Sequence, residues 1–213
     1  MTLVSDFALT KIQPGAKVSL GGGSNVADLT RALASRTDLD LYSPSAATRD
    51  LGTELGLAIK PAEEADPVDL AFDGADSVDY SLRALKSKGG IHLFEKVAAQ
   101  EAAEYILLLP AGRLRPELDP EIQLCLEVAE PAIKQVRTFA GDLGLKADLR
   151  KEKSLLGNSL LDLYAANWDN ILELNRQLVA FNGVLSSSLF DKEVTSVITV
   201  QDGKAVEIHK GDL

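Results

Sequence analysis

The sequence holds one cysteine, two histidines and one tryptophan in 213 residues. A single cysteine excludes an internal disulfide and any cysteine-based metal cluster. Cys125 lies in the apolar run IQLCLEV and reads as a core thiol, not a nucleophile. Positive charge is also scarce: 22 Lys and Arg against 32 Asp and Glu give a formal net charge of -10. Such a chain repels phosphate backbones, and no local basic patch offsets this, because the Arg113/Arg115 pair is followed by Glu117, Asp119 and Glu121. Nucleic acid is therefore not an expected partner. No run approaches the roughly 18 apolar residues of a membrane span. The opening MTLVSDFALTKIQPG lacks the basic start and long apolar core of a secretory signal. No membrane partner is expected, and the cytoplasm is the expected location. Aromatics make up 5% of the chain and hydrophobic residues 46%, which is the profile of an aliphatic core.

What is present alternates between two periodicities. AKVSL (16–20), DLDLYSP (38–44), PVDLAF (67–72) and EYILLLP (104–110) read as strands. Between them, NVADLTRALASR places Val26, Leu29, Ala32 and Leu33 on one helical face, and AATRDLGTELG and GIHLFEKVAAQEAA read as further helices. This alternation predicts an α/β fold with a parallel, Rossmann-like sheet and helices on both faces. RLRPELDP (113–120) reads as a linker. A smaller α/β unit then follows over roughly 122–196, from IQLCLEV, EPAIKQVRTFAGDLG, NSLLDLYA, WDNILELNRQLVAFNG and VLSSSLF. The tail TSVITVQDGKAVEIH is a hairpin around Asp202-Gly203 that returns to the first domain, taken as 1–121 plus 197–213.

Ligands of open parallel sheets bind in the loops after the strands, and three such loops carry chemistry. The first, LGGGSNVADL, brings Gly21, Gly22 and Gly23 to a helix start, where free amides suit phosphate or carboxylate, with Ser24 and Asn25 beside them. It is not a Walker loop, because no Gly-Lys-Ser/Thr follows. It fails the dinucleotide fingerprint because Val26 stands where the third glycine belongs. The second, SPSAAT, offers Ser43, Ser45 and Thr48, which suit either an anion or a helix cap. The third, FDGADSVDYSLRALKSKGGIHLFEK, sets Asp73 and Asp76 three apart in a glycine turn, with Lys86 and Glu95 following. On its own a D-G-x-D turn is more often a structural Asx-turn.

The four segments LGGGSNVADL, SPSAAT, FDGADSVD and LKSKGGIHLFEK, in this order, make the chain resemble the type A ribose-5-phosphate isomerases. Weaker echoes in LEVAEPA, GNSLLDLY and GVLSSSLF extend the resemblance over nearly the whole chain. It implies interconversion of ribose 5-phosphate and ribulose 5-phosphate with no metal and no cofactor, a sugar phosphate as partner, and a homo-oligomer, dimer or tetramer. It also implies Glu95 as the carbon base, Lys86 and Asp73 in oxyanion stabilisation and oxygen proton transfer, and Asp76 in ring opening or orientation. Gly21, Gly22, Gly23, Ser24, Asn25, Ser43, Ser45, Thr48, Lys88, Gly89 and Arg113 are then the substrate and phosphate contacts.

Departures from the family pattern fall among the holding residues. Gly22 and Asn25 stand where threonines are usual, Ser87 and Lys88 interrupt a glycine run, Arg113 replaces a lysine, and Phe94 replaces an arginine. Lys88 and Arg113, with His92 as a further candidate, are the cations that would rebuild an anion site. A non-catalytic paralogue that binds a sugar phosphate in a repurposed pocket is the alternative reading.

Overall fold

The computed structural model describes residues 2–213. The chain opens with helix α1 (Leu3–Lys11), whose start is closed by a reciprocal Thr2–Ser5 capping box. Strand β1 (Lys17–Leu20) leads into α2 (Ser24–Ala32), β2 (Asp40–Ser43) into α3 (Ala46–Glu54), and a short β3 (Ile59–Pro61) follows. Next, β4 (Val68–Asp73) passes through the short strands β5 (Ser77–Asp79) and β6 (Ala84–Leu85) to α4 (His92–Gln100). Then come β7 (Ala102–Leu108), the two-residue β8 (Leu114–Arg115), β9 (Leu124–Val128) and α5 (Ile133–Asp142). The chain ends with β10 (Lys146–Lys153), β11 (Ser159–Tyr164), α6 (Ile171–Val179), β12 (Val184–Ser187), β13 (Leu189–Phe190), β14 (Ser196–Gln201) and β15 (Lys204–His209).

Seven strands form the main sheet in the order β15-β14-β7-β4-β1-β2-β3. All pairs are parallel except β14 with β15, which turn back on each other through Asp202 and Gly203, both at positive φ. The parallel Rossmann-like sheet expected from the alternation is thus present, and the strand order reverses between β1 and β4. Right-handed crossovers running in opposite directions from that point put helices on opposite faces. On one face α1 and α2 bury Val4, Ala8, Val26, Leu29 and Leu33 against Val18, Leu20, Phe72 and Ile106. On the other, Ala99 of α4 packs with Ala71, Tyr105, Leu107 and Val197.

A smaller unit is inserted before the C-terminal strands. Its antiparallel sheet, β10-β11-β9-β12, buries Leu124, Leu126, Val128, Leu161 and Leu163 against Val136 of α5 and Ile171 and Leu178 of α6. Two segments differ from the sequence reading. RLRPELDP is no free linker: Leu114 and Arg115 pair in parallel with Val78 and Asp79. VLSSSLF is not one strand, because it changes sheets at Ser188; β12 pairs with β9, and β13 pairs with β6. The result is a third small sheet, β13-β6-β5-β8, against the site-bearing turn.

Candidate active site

The glycine loop lies against the end of β4. Gly21 donates its amide to the Phe72 carbonyl at 2.7 Å. A Cβ at position 21 would fall 2.1 Å from Asp73 Cγ, so only glycine lets the two strand ends approach this closely. Gly22 donates its amide to Asp73 Oδ1 at 3.0 Å. Gly23, at φ 99°, turns the chain into α2, whose first residue, Ser24, is exposed. Behind the loop, Thr48 Oγ1 donates to the Gly21 carbonyl at 2.6 Å. Ser45 accepts from the Thr48 amide as the cap of α3, and Ser43 Oγ accepts from the Ser45 amide. Asn25 Nδ2 donates to the Leu108 carbonyl at 3.1 Å, tying the loop to the end of β7.

The acids and the lysine meet on the far side of this loop. Asp73 Oδ1 accepts from the amides of Gly22 and Gly74 and from Lys86 Nζ at 3.0 Å, while Oδ2 accepts from the Tyr105 hydroxyl at 3.0 Å. Lys86 Nζ also lies 3.2 Å from Glu95 Oε1 and donates to the Gly74 carbonyl. Its backbone is fixed through its amide on the Ser188 carbonyl, at the point where β12 gives way to β13. Burial disfavours the Lys86 charge, but Asp73 and Glu95 outweigh it and hold its pKa above the ordinary lysine value. Glu95, in the first turn of α4, is pushed by burial up to about 7; Lys86 opposes this, and repulsion from Asp73 and Asp76 adds to it. Asp76 is turned the other way: its Oδ2 accepts from the amides of Ser87 and Lys88 at 2.8 and 2.9 Å.

These groups open on a cleft of about 560 Å³ at the switch point of the main sheet. Gly22, Gly23, Ser24, Asn25, Ser45, Asp73, Asp76, Lys86, Lys88, Gly89, Glu95 and Arg113 all line it. Gly21, Ser43 and Thr48 do not; they support the loop from behind. Arg113 reaches the cleft wall, but its Nη1 donates to the carbonyls of Ala75 and Asp76 at 3.4 and 2.6 Å, so it braces the acidic turn. Lys88 is exposed, with Nζ 3.9 Å from Asp76. His92 is fully buried and off the cleft, with burial lowering its pKa to about 3. No group of three His, Cys, Asp or Glu side chains among the described residues is arranged to hold a metal ion.

Two contributors were missed from sequence. Tyr105 is buried in an otherwise aliphatic strand; a phenol there needs a partner for its hydroxyl, and that is the signal that points to Asp73. Leu155, at the tip of the β10–β11 hairpin, lines the cleft from the smaller unit. Nothing in the turn sequence Ser154 to Asn158 marks which cleft it will overhang.

A buried carboxylate poised near neutrality, beside an ammonium locked between two acids, at the switch point of an open parallel sheet, defines a proton-transfer enzyme on a Rossmann-like frame. Comparison with known proteins narrows the class. Residues 41–204 match the family model of ribose 5-phosphate isomerase A (phosphoriboisomerase A). Ribose-5-phosphate isomerase A of Prochlorococcus marinus (strain NATL1A) is 32% identical over 201 residues, covering 88% of this chain and 85% of that one. The crystal structure of ribose 5-phosphate isomerase A from Neisseria gonorrhoeae superposes with a TM-score of 0.89 at 22% identity, covering 98% of this chain and 95% of that one. A D-ribose-5-phosphate isomerase in complex with phospho-erythronic acid superposes at 0.88 with 24% identity, covering 97% and 96%. The chain belongs to the ribose 5-phosphate isomerase A family.

Proposed function

We propose that this protein interconverts ribose 5-phosphate and ribulose 5-phosphate by proton transfer through an enediolate. The observation that carries the reading is Glu95: a buried carboxylate that lines the cleft and lies 3.2 Å from the Lys86 ammonium. In the aldose-to-ketose direction Glu95 takes the proton from C2 and returns it to C1. Over the same cycle O2 loses a proton and O1 gains one. The charge on the intermediate lies beside the Lys86 ammonium, a fixed and buried cation. Asp73, with a donor on every side, holds Lys86 charged and in place. Asp76, more open, orients the sugar hydroxyls or the opening ring. The phosphate is received by the amides at the start of α2 and by Ser24, with Lys88 across the cleft. The Asn25 side chain is engaged elsewhere, donating to the Leu108 carbonyl and accepting from the Thr2 hydroxyl.

The oligomer and the compartment follow the same reading. No described helix is long and apolar enough to cross a membrane, and the cytoplasm is the compartment proposed. Leu172 and Val179, two turns apart on α6, are exposed apolar residues that suit burial between copies of the chain. Size-exclusion chromatography with light scattering reads the assembly directly.

The function is tested by following ketose formation from ribose 5-phosphate in deuterated buffer. Wild type is expected to turn over and to wash solvent deuterium into the substrate carbon. Glu95→Gln, which keeps the shape but cannot accept the proton, is expected to lose roughly 100- to 10,000-fold in rate while still binding 4-phosphoerythronate. Binding of that acid by an inactive wild type would favour the non-catalytic paralogue.

A further inference from the structure

We propose that Tyr105 is a positioning residue of this site: its hydroxyl fixes Asp73, and through Asp73 it holds the Lys86 ammonium. The proposal rests on the isomerase reading above. Its geometry comes from the main sheet. In the β4–β7 register Tyr105 stands opposite Ala71, the smallest side chain on that face with a Cβ, and Asp73 lies two residues further along β4 on the same face. The ring therefore has room to lie along the sheet and deliver its hydroxyl to Asp73 Oδ2 at 3.0 Å. The ring is itself fixed, stacked on Phe190 at 5.8 Å between centroids and 17° between planes. Phe190 also carries Lys86 Nζ over its face at 5.8 Å. One aromatic pair thus underlies both members of the Asp73–Lys86 ion pair.

The donor count makes the hydroxyl consequential. Asp73 Oδ1 has three donors, but the Tyr105 hydroxyl is the one donor to Oδ2 among the described residues. Without it, a fully buried carboxylate keeps an unpartnered oxygen. Its negative charge is then less well supported, and so is its grip on Lys86, whose other anionic contact is the base Glu95. The phenol touches neither the cleft nor the reacting atoms, so its influence travels through Asp73 alone.

The test is a double-mutant cycle on ribose 5-phosphate turnover with Tyr105→Phe, Asp73→Asn and the double variant. Tyr105→Phe is expected to lower kcat about 10- to 100-fold, the range for a hydrogen bond to a buried charge. KM is expected to stay within about threefold, and calorimetric stoichiometry for 4-phosphoerythronate to stay unchanged, which excludes a loss of folded sites. In the Asp73→Asn background the same change is expected to cost less than about twofold, since the path through Asp73 is already broken. Tyr105→Phe with kcat within twofold of wild type overturns the proposal, as does an equal loss in both backgrounds. If Tyr105→Phe does not fold, 3-fluorotyrosine placed at 105 keeps ring and hydroxyl and changes only donor strength; kcat indistinguishable from wild type then overturns it. A wild type without turnover removes both this proposal and the isomerase reading, whereas an active wild type indifferent to Tyr105 removes this one alone.

Discussion

Glu95 receives opposing influences. As a carboxylate in the first turn of a helix next to an ammonium, it has two reasons to ionise early. Burial and two neighbouring acids act against them and win, lifting it to about 7. A raised carboxyl is protonated below its pKa and cannot accept a proton there. The acid limb of kcat/KM is therefore expected near pH 7, with activity rising as pH passes through it, and not near the 4 to 5 of a free glutamate. A pH–rate profile that stays flat down to pH 5 would assign the base elsewhere. Asp73, Lys86 and Glu95 were legible in sequence as a set because the family resemblance of FDGADSVD and LKSKGGIHLFEK names them together. Tyr105 was not, because a tyrosine in a strand announces only a need for a partner and not which partner. SPSAAT suits both an anion site and a helix cap; Ser45 caps α3 and also lines the cleft, while Ser43 and Thr48 lie behind the loop and do not line it.

At the scale of elements, the hairpin β10–β11 is the part that periodicity conceals. KADLRKEK carries six charges in eight residues and forms the edge strand of the smaller sheet, where charge discourages unwanted pairing. Its tip is anchored from beneath. Glu127, fully buried on β9, accepts from Ser154 Oγ at 2.6 Å and from Asn158 Nδ2 at 2.8 Å through one oxygen. That anchor presents Leu155, 55% exposed, to the cleft. Glu127→Ala strips both donors of their acceptor and is expected to cost about 1–3 kcal/mol. Hydrogen exchange is expected to quicken over residues 150–160, with the main sheet unaffected. Unchanged protection there would show that strand pairing alone holds the tip. We propose 122–196 as the bounds of the inserted unit, noting that β13, within them, pairs with β6 outside them.

At the scale of the molecule, the main sheet is assembled from both ends of the chain. β14 pairs with β7 at Ile106, Leu107 and Leu108, and β15 covers β14. Lys11 of α1 ties the two ends through Glu104 and Glu207, at 3.1 and 2.6 Å. Deleting residues 196–213 is expected to abolish the cooperative thermal transition and to produce aggregation by light scattering. A soluble truncated chain that melts within a few degrees of wild type would contradict this. The parallel core was legible because short, mostly apolar strands alternate with helical periods along the first half; β3, with the three residues Ile59, Lys60 and Pro61, is too short to show a period.

The late arrival of β14 bears on how the protein is made. On the ribosome, β4 and β7 emerge with their acids in place, but the far edge of β7 has no strand to cover it until the inserted unit has also been translated. At roughly 5–20 residues per second, that interval lasts several seconds. Throughout it, the backbone groups of Ile106 to Leu108 that pair with β14 in the finished sheet lack that partner on the nascent chain. The competitor to be avoided is the same strand on a neighbouring polysome-bound copy. Expression at low temperature or slow initiation, which spaces nascent chains apart, is the condition that favours the native seal.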